Sequence, residues 1–88
     1  MQKNWQTYLL RCVDGSLYCG VAKDMHLRLK KHNQGLASKY TRSRLPVELA
    51  AVRGNLSKSE AYSLERYIKT LPAGKKISAL KNGQTGGM

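Results

Sequence analysis

The sequence predicts an α+β domain, a three-stranded antiparallel β-sheet flanked by helices in the order β-β-α-β-α-α. Three observations predict it: two strand-like runs around a tight turn signal near the amino end, a third strand-like run in mid-chain, and helical apolar spacing behind a capping box in the second half. Eighty-eight residues leave room for one modest core, because a chain this short buries only about 60–65% of the surface its extended form exposes. We take residues 1–81 as the domain and 82–88, with three glycines in seven residues, as a flexible carboxy-terminal tail.

Trp5–Cys12 opens the chain as a strand, since Trp, Thr, Tyr, Leu and Cys crowd into a short run. Asp14-Gly15-Ser16 is a turn signal, and Leu17–Val21 reads as the second strand. So short a connection makes a hairpin, because parallel neighbours need a crossover of about a dozen residues or more. Asp24 then stands where it can cap a helix through Asn33, with Met25, Leu29 and His32 or Asn33 at helical spacing and Gly35 as terminator. Arg28 and His32, four apart, fall on one side of that helix.

Gly35 to Leu45 has no clean periodicity. We expect an irregular or short helical connection there, held by Leu36, Tyr40 and Leu45, with its bases facing solvent or a ligand. Val47–Arg53 reads as the third strand, beside the hairpin. Ser57 and Glu60 have capping-box spacing, and Ala61, Leu64, Ile68 and Leu71 follow at intervals of three and four, predicting a helix from Lys58 to Leu71. Pro72 breaks it, and Ala73, Ile77 and Leu80 indicate a shorter final helix.

Composition narrows the function. Sixteen Lys and Arg against five acids give a net charge of +11, a field that draws polyanions and points to nucleic acid as partner rather than to a merely solubilising surface. The apolar runs are too short to span a bilayer, and Arg11 and Asp14 interrupt any signal-peptide core, so no membrane partner and a cytoplasmic location are expected. Cys12 and Cys19 lack the number and spacing of a disulfide framework or a zinc site and read as reduced thiols. No phosphate-binding GxxxxGK loop, zinc finger or GXXG loop occurs, so neither nucleotide hydrolysis nor specific base readout follows.

Chemistry can gather over the sheet. Tyr8 and Tyr18 lie on neighbouring strands, Arg28 on the first helix, and Glu65 beside the apolar stripe of the second. Each has a plain structural reading: strand aromatics for the tyrosines, a solvated charge for Arg28, an i,i+4 pair with Lys69 for Glu65. Together they offer what phosphodiester hydrolysis needs: a carboxylate for a hard divalent cation, a guanidinium for developing phosphate charge, and phenols to handle a proton. Asp14, Asp24 and Glu60 are engaged in the turn and the caps. A crowded two-metal site is therefore not expected, and a one-metal site on Glu65 is the sparse solution. Lys31, Lys39, Tyr40, Arg42 and Arg44 form the candidate nucleic-acid-binding set, with Tyr40 either stacking on a base or packing beneath the loop.

The stretches Tyr8-Leu9-Leu10, Leu17-Tyr18-Cys19-Gly20, Arg28 and Leu64-Glu65-Arg66-Tyr67-Ile68-Lys69 resemble the GIY-YIG nuclease superfamily. More narrowly, Asp14-Gly15-Ser16-Leu17-Tyr18, His32-Asn33, Lys39-Tyr40-Thr41-Arg42 and Pro46-Val47-Glu48-Leu49 are similar to its small bacterial single-domain branch, the UPF0213 or YhbQ-like proteins. The likeness runs over about residues 5–80. It implies a DNA endonuclease dependent on Mg²⁺ or Mn²⁺, structure-selective or weakly sequence-specific, acting on DNA that is branched or single-stranded. The competing reading is a non-catalytic DNA-binding or repair-accessory module.

By the family pattern Tyr8 and Tyr18 are the two motif tyrosines, one serving as or assisting the general base and the other orienting water or phosphate. Arg28 matches the phosphate-stabilising arginine, and Glu65 the metal-binding glutamate. His32 falls near a position where related nucleases use Tyr or His, and is either a proton shuttle or phosphate contact or a core histidine. The motifs depart from the literal triplets, Tyr8-Leu9-Leu10 and Tyr18-Cys19-Gly20 standing in their place, and Val21 replaces a lysine of the excision-repair members.

Overall fold

The computed structural model describes residues 2–82. Its elements are β1 (Trp5–Arg11), β2 (Leu17–Ala22), α1 (Met25–Asn33), α2 (Lys39–Arg42), β3 (Glu48–Leu56), α3 (Lys58–Lys69) and α4 (Ala73–Asn82). The sheet has the order β2-β1-β3, and both pairings are antiparallel. The architecture is the predicted one.

Alternation along β1 sends its side chains to two opposite layers. Tyr8, Leu10 and Cys12 pack with Ala22, Met25 and Val47, and with half-buried Tyr18, Leu29 and Leu45, beneath α1 and α2. Leu9 joins Cys19, Ala51, Leu64, Ile68 and Leu80 beneath α3 and α4. Thr7, on that second side, donates its hydroxyl to the Ala61 carbonyl at 2.8 Å, tying β1 to the first turn of α3. The two free cysteines are buried in different layers.

The helix ends follow from local chemistry. Asp24 accepts from the Leu27 amide at the start of α1. The other end closes as a Schellman turn: Leu36 N–H donates to Lys31 C=O and Gly35 N–H to His32 C=O, with Gly35 at φ 77°, where a Cβ is disfavoured. Ser57 and Glu60 form the full capping box of α3. Asn33 anchors the far end of α1 to the start of β3, donating from Nδ2 to Val47 C=O and accepting from Val47 N–H.

Several boundaries move: β1 stops at Arg11, one residue short of the expected Cys12, and β2 runs one residue past Val21 to Ala22. β3 begins one residue later than expected and continues to Leu56 through Gly54 and Asn55, because pairing with central β1 outweighs their weak strand preference and a register shift between Trp5 and Thr7 absorbs the irregularity. α3 ends at Lys69 with Thr70 as its C-cap, although Leu71 still packs on the core. α4 includes Asn82, and the rest of the expected tail, 83–88, lies outside the described residues. The connection after Gly35 is a short helix, but Leu36 does not hold it: that side chain is 73% exposed. Thr41, fully buried, is the anchor instead, because its hydroxyl finds a partner on α1. Among the described residues no helix is long and apolar enough to cross a membrane.

Candidate functional site

Tyr8 on β1 pairs with Gly20 on β2, and its ring lies across that position. A Cβ on Gly20 would stand 2.5 Å from Tyr8 Cζ and 3.0 Å from Cε2, so only glycine admits the phenol to the outer edge of the sheet. There Tyr8 Oη meets His32 Nε2 at 2.9 Å, while His32 Nδ1 meets Thr41 Oγ1 at 2.8 Å. Thr41 gives its own hydroxyl proton to Ser38 C=O, which assigns the directions: Nδ1–H donates to Thr41, and the Tyr8 O–H donates to unprotonated Nε2. The result is a buried relay from β1 through α1 to α2.

The electrostatics agree with that assignment. Burial, reinforced by Tyr18, pushes the Tyr8 phenol well above its ordinary value, with Arg28 opposing and Cys19 and Glu65 adding to the rise. Burial and then Arg28 hold His32 below its ordinary value. At neutral pH the pair is therefore a neutral phenol donating to a neutral imidazole.

Tyr18 closes the relay from one side. Its ring centroid lies 6.5 Å from Tyr8, 5.3 Å from His32 in an edge arrangement, and 5.9 Å from Tyr40 in a stacked one. Arg44 covers the outer face of Tyr40, Cζ 3.9 Å from the ring centroid. Its Nε donates to Asp14 at 3.0 Å and its Nη1 to Tyr40 C=O. The column His32, Tyr18, Tyr40, Arg44 thus ends on the β1–β2 turn. Of the two alternatives for Tyr40, the ring packs against Tyr18 while remaining 39% exposed. Among the described residues the Tyr18 hydroxyl has no hydrogen-bond partner in the protein, which leaves it open to a ligand. Lys31, Lys39 and Arg42 are exposed around this column.

Arg28 lies on α1 and Glu65 on α3. Both charges act on the Tyr8 phenol, and Glu65 also acts on Cys19, whose thiol burial pushes up to about 12. That value makes Cys19 an inert packing residue, not a nucleophile. Glu65 pairs with Lys69 at 3.3 Å, the expected i,i+4 ion pair, and its side chain keeps 18% exposure. Among the described residues no group of three or more His, Cys, Asp or Glu could hold a metal ion. One accessible carboxylate does fit a hard divalent cation that retains most of its water, and it fits nothing that needs a protein cage.

Of the five expected site residues, the structure joins Tyr8, Tyr18 and His32 in one cluster, and the charges of Arg28 and Glu65 act on its Tyr8 phenol. Thr41 was missed as a site residue, since a hydroxyl in a basic loop gives no periodic signal. Gly20 was seen only as part of a motif, because its reason lies in a cross-strand contact.

A family model described as the GIY-YIG catalytic domain matches residues 4–77. A UPF0213 protein of Staphylococcus epidermidis is 45% identical over 76 residues, 86% of this chain and 93% of the relative. A UPF0213 protein of Staphylococcus aureus is 46% identical over 74 residues, 84% and 90% of the two chains. The solution NMR structure of a UPF0213 protein from Bacillus halodurans, 40% identical, superposes with a TM-score of 0.53 over 93% of this chain and 86% of that one. That of a protein from E. faecalis, 34% identical, gives 0.61 over 93% and 90%.

Proposed function

The chain belongs to the GIY-YIG family, in its UPF0213 branch, and on that premise we propose that it is a divalent-metal-dependent DNA endonuclease, structure-selective or weakly sequence-specific. The observation that carries the reading is the buried Tyr8–His32 hydrogen bond with Tyr18 packed beside it, the Tyr8 phenol under the charges of Arg28 and Glu65. A DNA-binding module needs only the basic surface. It has no use for a proton relay at the edge of a sheet.

In this reading Arg28 neutralises charge that grows on the phosphate as water adds to phosphorus and the ester P–O bond breaks. Tyr8 takes the water's proton as its own passes to His32 Nε2, so the phenol need never sit as a free phenolate, which burial disfavours. Thr41 holds the Nδ1 proton throughout and keeps Nε2 the accepting atom. Tyr18, with its free hydroxyl, orients water or phosphate. Glu65 is the residue that would hold Mg²⁺ or Mn²⁺, and when bound such an ion supplies Lewis-acid polarisation of the phosphate and eases departure of the leaving oxygen.

The test incubates purified protein with branched, nicked, single-stranded and duplex DNA, with and without Mn²⁺, beside Glu65→Gln. Gln keeps much of the volume and helix propensity of Glu and loses the ionised oxygens. We expect metal-stimulated nicking by the wild type, its loss in the variant, and less than about a threefold change in metal-free binding. Equal cleavage by the two proteins removes Glu65 from the role, and no cleavage by either leaves the DNA-binding module as the better account.

A further inference from the structure

A cleft of about 480 Å³ opens along the edge of β2, with α1 as one wall and α3 as the other. Trp5, Lys23, Leu27, Arg28, Lys31 and Tyr62 line it. Arg28 therefore belongs both to this cleft and to the catalytic cluster. On the opposite wall Tyr62 precedes Glu65 by three residues, so the two side chains are neighbours on one face of α3. The cleft continues directly from the place where the scissile phosphate would sit.

Its chemistry is aromatic and basic. Trp5 and Tyr62 form a tilted pair with ring centroids 6.0 Å apart, and Tyr62 is 39% exposed. Lys23 and Lys58 hold their ammonium groups over the Trp5 ring, 5.1 and 5.8 Å from its centroid. Among the described residues neither lysine has a carboxylate partner. Asp24 also lines the cleft, but its carboxylate accepts the Leu27 amide at the cap of α1. Ammonium groups resting on an aromatic ring for want of an anion can move to phosphates and leave a π-face exposed.

We infer that this cleft receives the unpaired deoxynucleotide next to the phosphate held at Arg28, its base against the Tyr62–Trp5 pair and its phosphates taken by Lys23, Lys31 and Lys58. The inference rests on the nuclease reading for the placement of the scissile phosphate, while the binding it describes stands apart from cleavage. The volume lies in the range of roughly 300–1,000 Å³ that accepts one small ligand, too small for a duplex. A base inside a duplex has both faces covered by its neighbours, whereas an unpaired base offers one to the rings. The cleft would thus select DNA that is frayed, branched or single-stranded on one side of the cut.

Trp5 is the only tryptophan in the chain, so its fluorescence reports on this cleft alone. Metal-free protein in chelator is titrated with a short oligothymidylate and with a duplex of equal length, and binding is followed separately by anisotropy of labelled DNA. We expect the single strand to quench Trp5 in step with binding. Tyr62→Ala should weaken single-strand affinity about tenfold and duplex affinity less than about twofold, with Tyr62→Phe restoring the wild-type value, because stacking needs the ring and not the hydroxyl. Tyr62 is exposed and Ala favours helix, so the variant stays folded, which circular dichroism checks. Binding without quenching, or a Tyr62→Ala loss equal for single strand and duplex, overturns the inference. Quenching and Tyr62 dependence in a protein that never cleaves would uphold the cleft and remove the nuclease reading instead.

Discussion

Gly20→Ala tests the geometry on which the whole site depends. The new methyl carbon would stand 2.5 Å from Tyr8 Cζ, against an ordinary contact of 3.4 Å or more, so the Tyr8 ring must move and its hydrogen bond to His32 must stretch or break. Overpacking of this kind costs about 1–3 kcal/mol, and disturbing a buried hydrogen bond adds about 1 kcal/mol. The lower backbone entropy of Ala returns about 0.5 kcal/mol. The net is a loss of about 1.5–3.5 kcal/mol, or roughly 6–28 °C in Tm for a domain of this size at about 4–8 °C per kcal/mol. Urea unfolding of wild type, Gly20→Ala, Tyr8→Leu and the double variant measures the coupling. With Leu in place of the phenol the methyl has room, and Gly20→Ala should then cost less than about 0.5 kcal/mol. An equal cost of Gly20→Ala in both backgrounds would refute the argument that the Tyr8 ring is what requires glycine.

Thr41→Val keeps the volume but removes the acceptor for Nδ1–H, so we expect a loss of about 1–3 kcal/mol and a change in the ¹⁵N-detected tautomer of His32, with Thr41→Ser restoring the wild-type spectrum. Arg28→Ala should lower turnover at saturating DNA more than affinity, since its strongest interaction forms as phosphate charge develops; a loss of affinity alone would move Arg28 to the docking surface. His32, held below its ordinary 6.5 by burial and then Arg28, stays neutral in the fold longer than in the unfolded chain. Its contribution to stability is full above about pH 6.5 and is lost as pH falls through the lower folded value, so the urea midpoint should drop across that window in wild type and stay flat in His32→Gln. Arg42→Ala should reduce the salt dependence of DNA binding by about one phosphate contact, while Arg44→Ala should mainly loosen the Asp14–Tyr40 brace, visible as faster amide exchange at Ser16 and Tyr18 with a smaller change in salt dependence.

Most of the fold was legible because each element carries its own local signal. The capping box at Ser57 and Glu60, the Asp14-Gly15-Ser16 turn and Gly35 all act within a few residues of where they stand, and local chemistry is what a sequence displays. The extension of β3 past Arg53 through Gly54 and Asn55 has no local signal, because it is imposed by β1, some fifty residues away. The site divides the same way. Motif spacing revealed the charged and aromatic members, but Thr41 matters through one bond to His32, and Leu36 lost its expected place because the Schellman turn projects it outward. Arg44 looks like one more phosphate contact beside Arg42, and only its bonds to Asp14 and Tyr40 set it apart.

The surplus of positive charge and the neutrality of the relay belong together. A field strong enough to draw in a polyanion also opposes adding a proton to His32, and Arg28 is the point where both effects are visible: it lowers the proton affinity of His32 and, alone among the influences on Tyr8, that of the phenol. On His32 the effect keeps Nε2 unprotonated, the form that accepts the Tyr8 hydrogen bond. When a phosphate neutralises Arg28 that bias relaxes and His32 becomes a better acceptor at the moment a proton must be received. Glu65 works in the opposite sense, raising the proton affinity of Tyr8, and a cation on its carboxylate would offset that effect. Burial thus sets most of the proton affinity of the relay, Arg28 and Glu65 adjust that of Tyr8 in opposite senses, and Thr41 holds its direction.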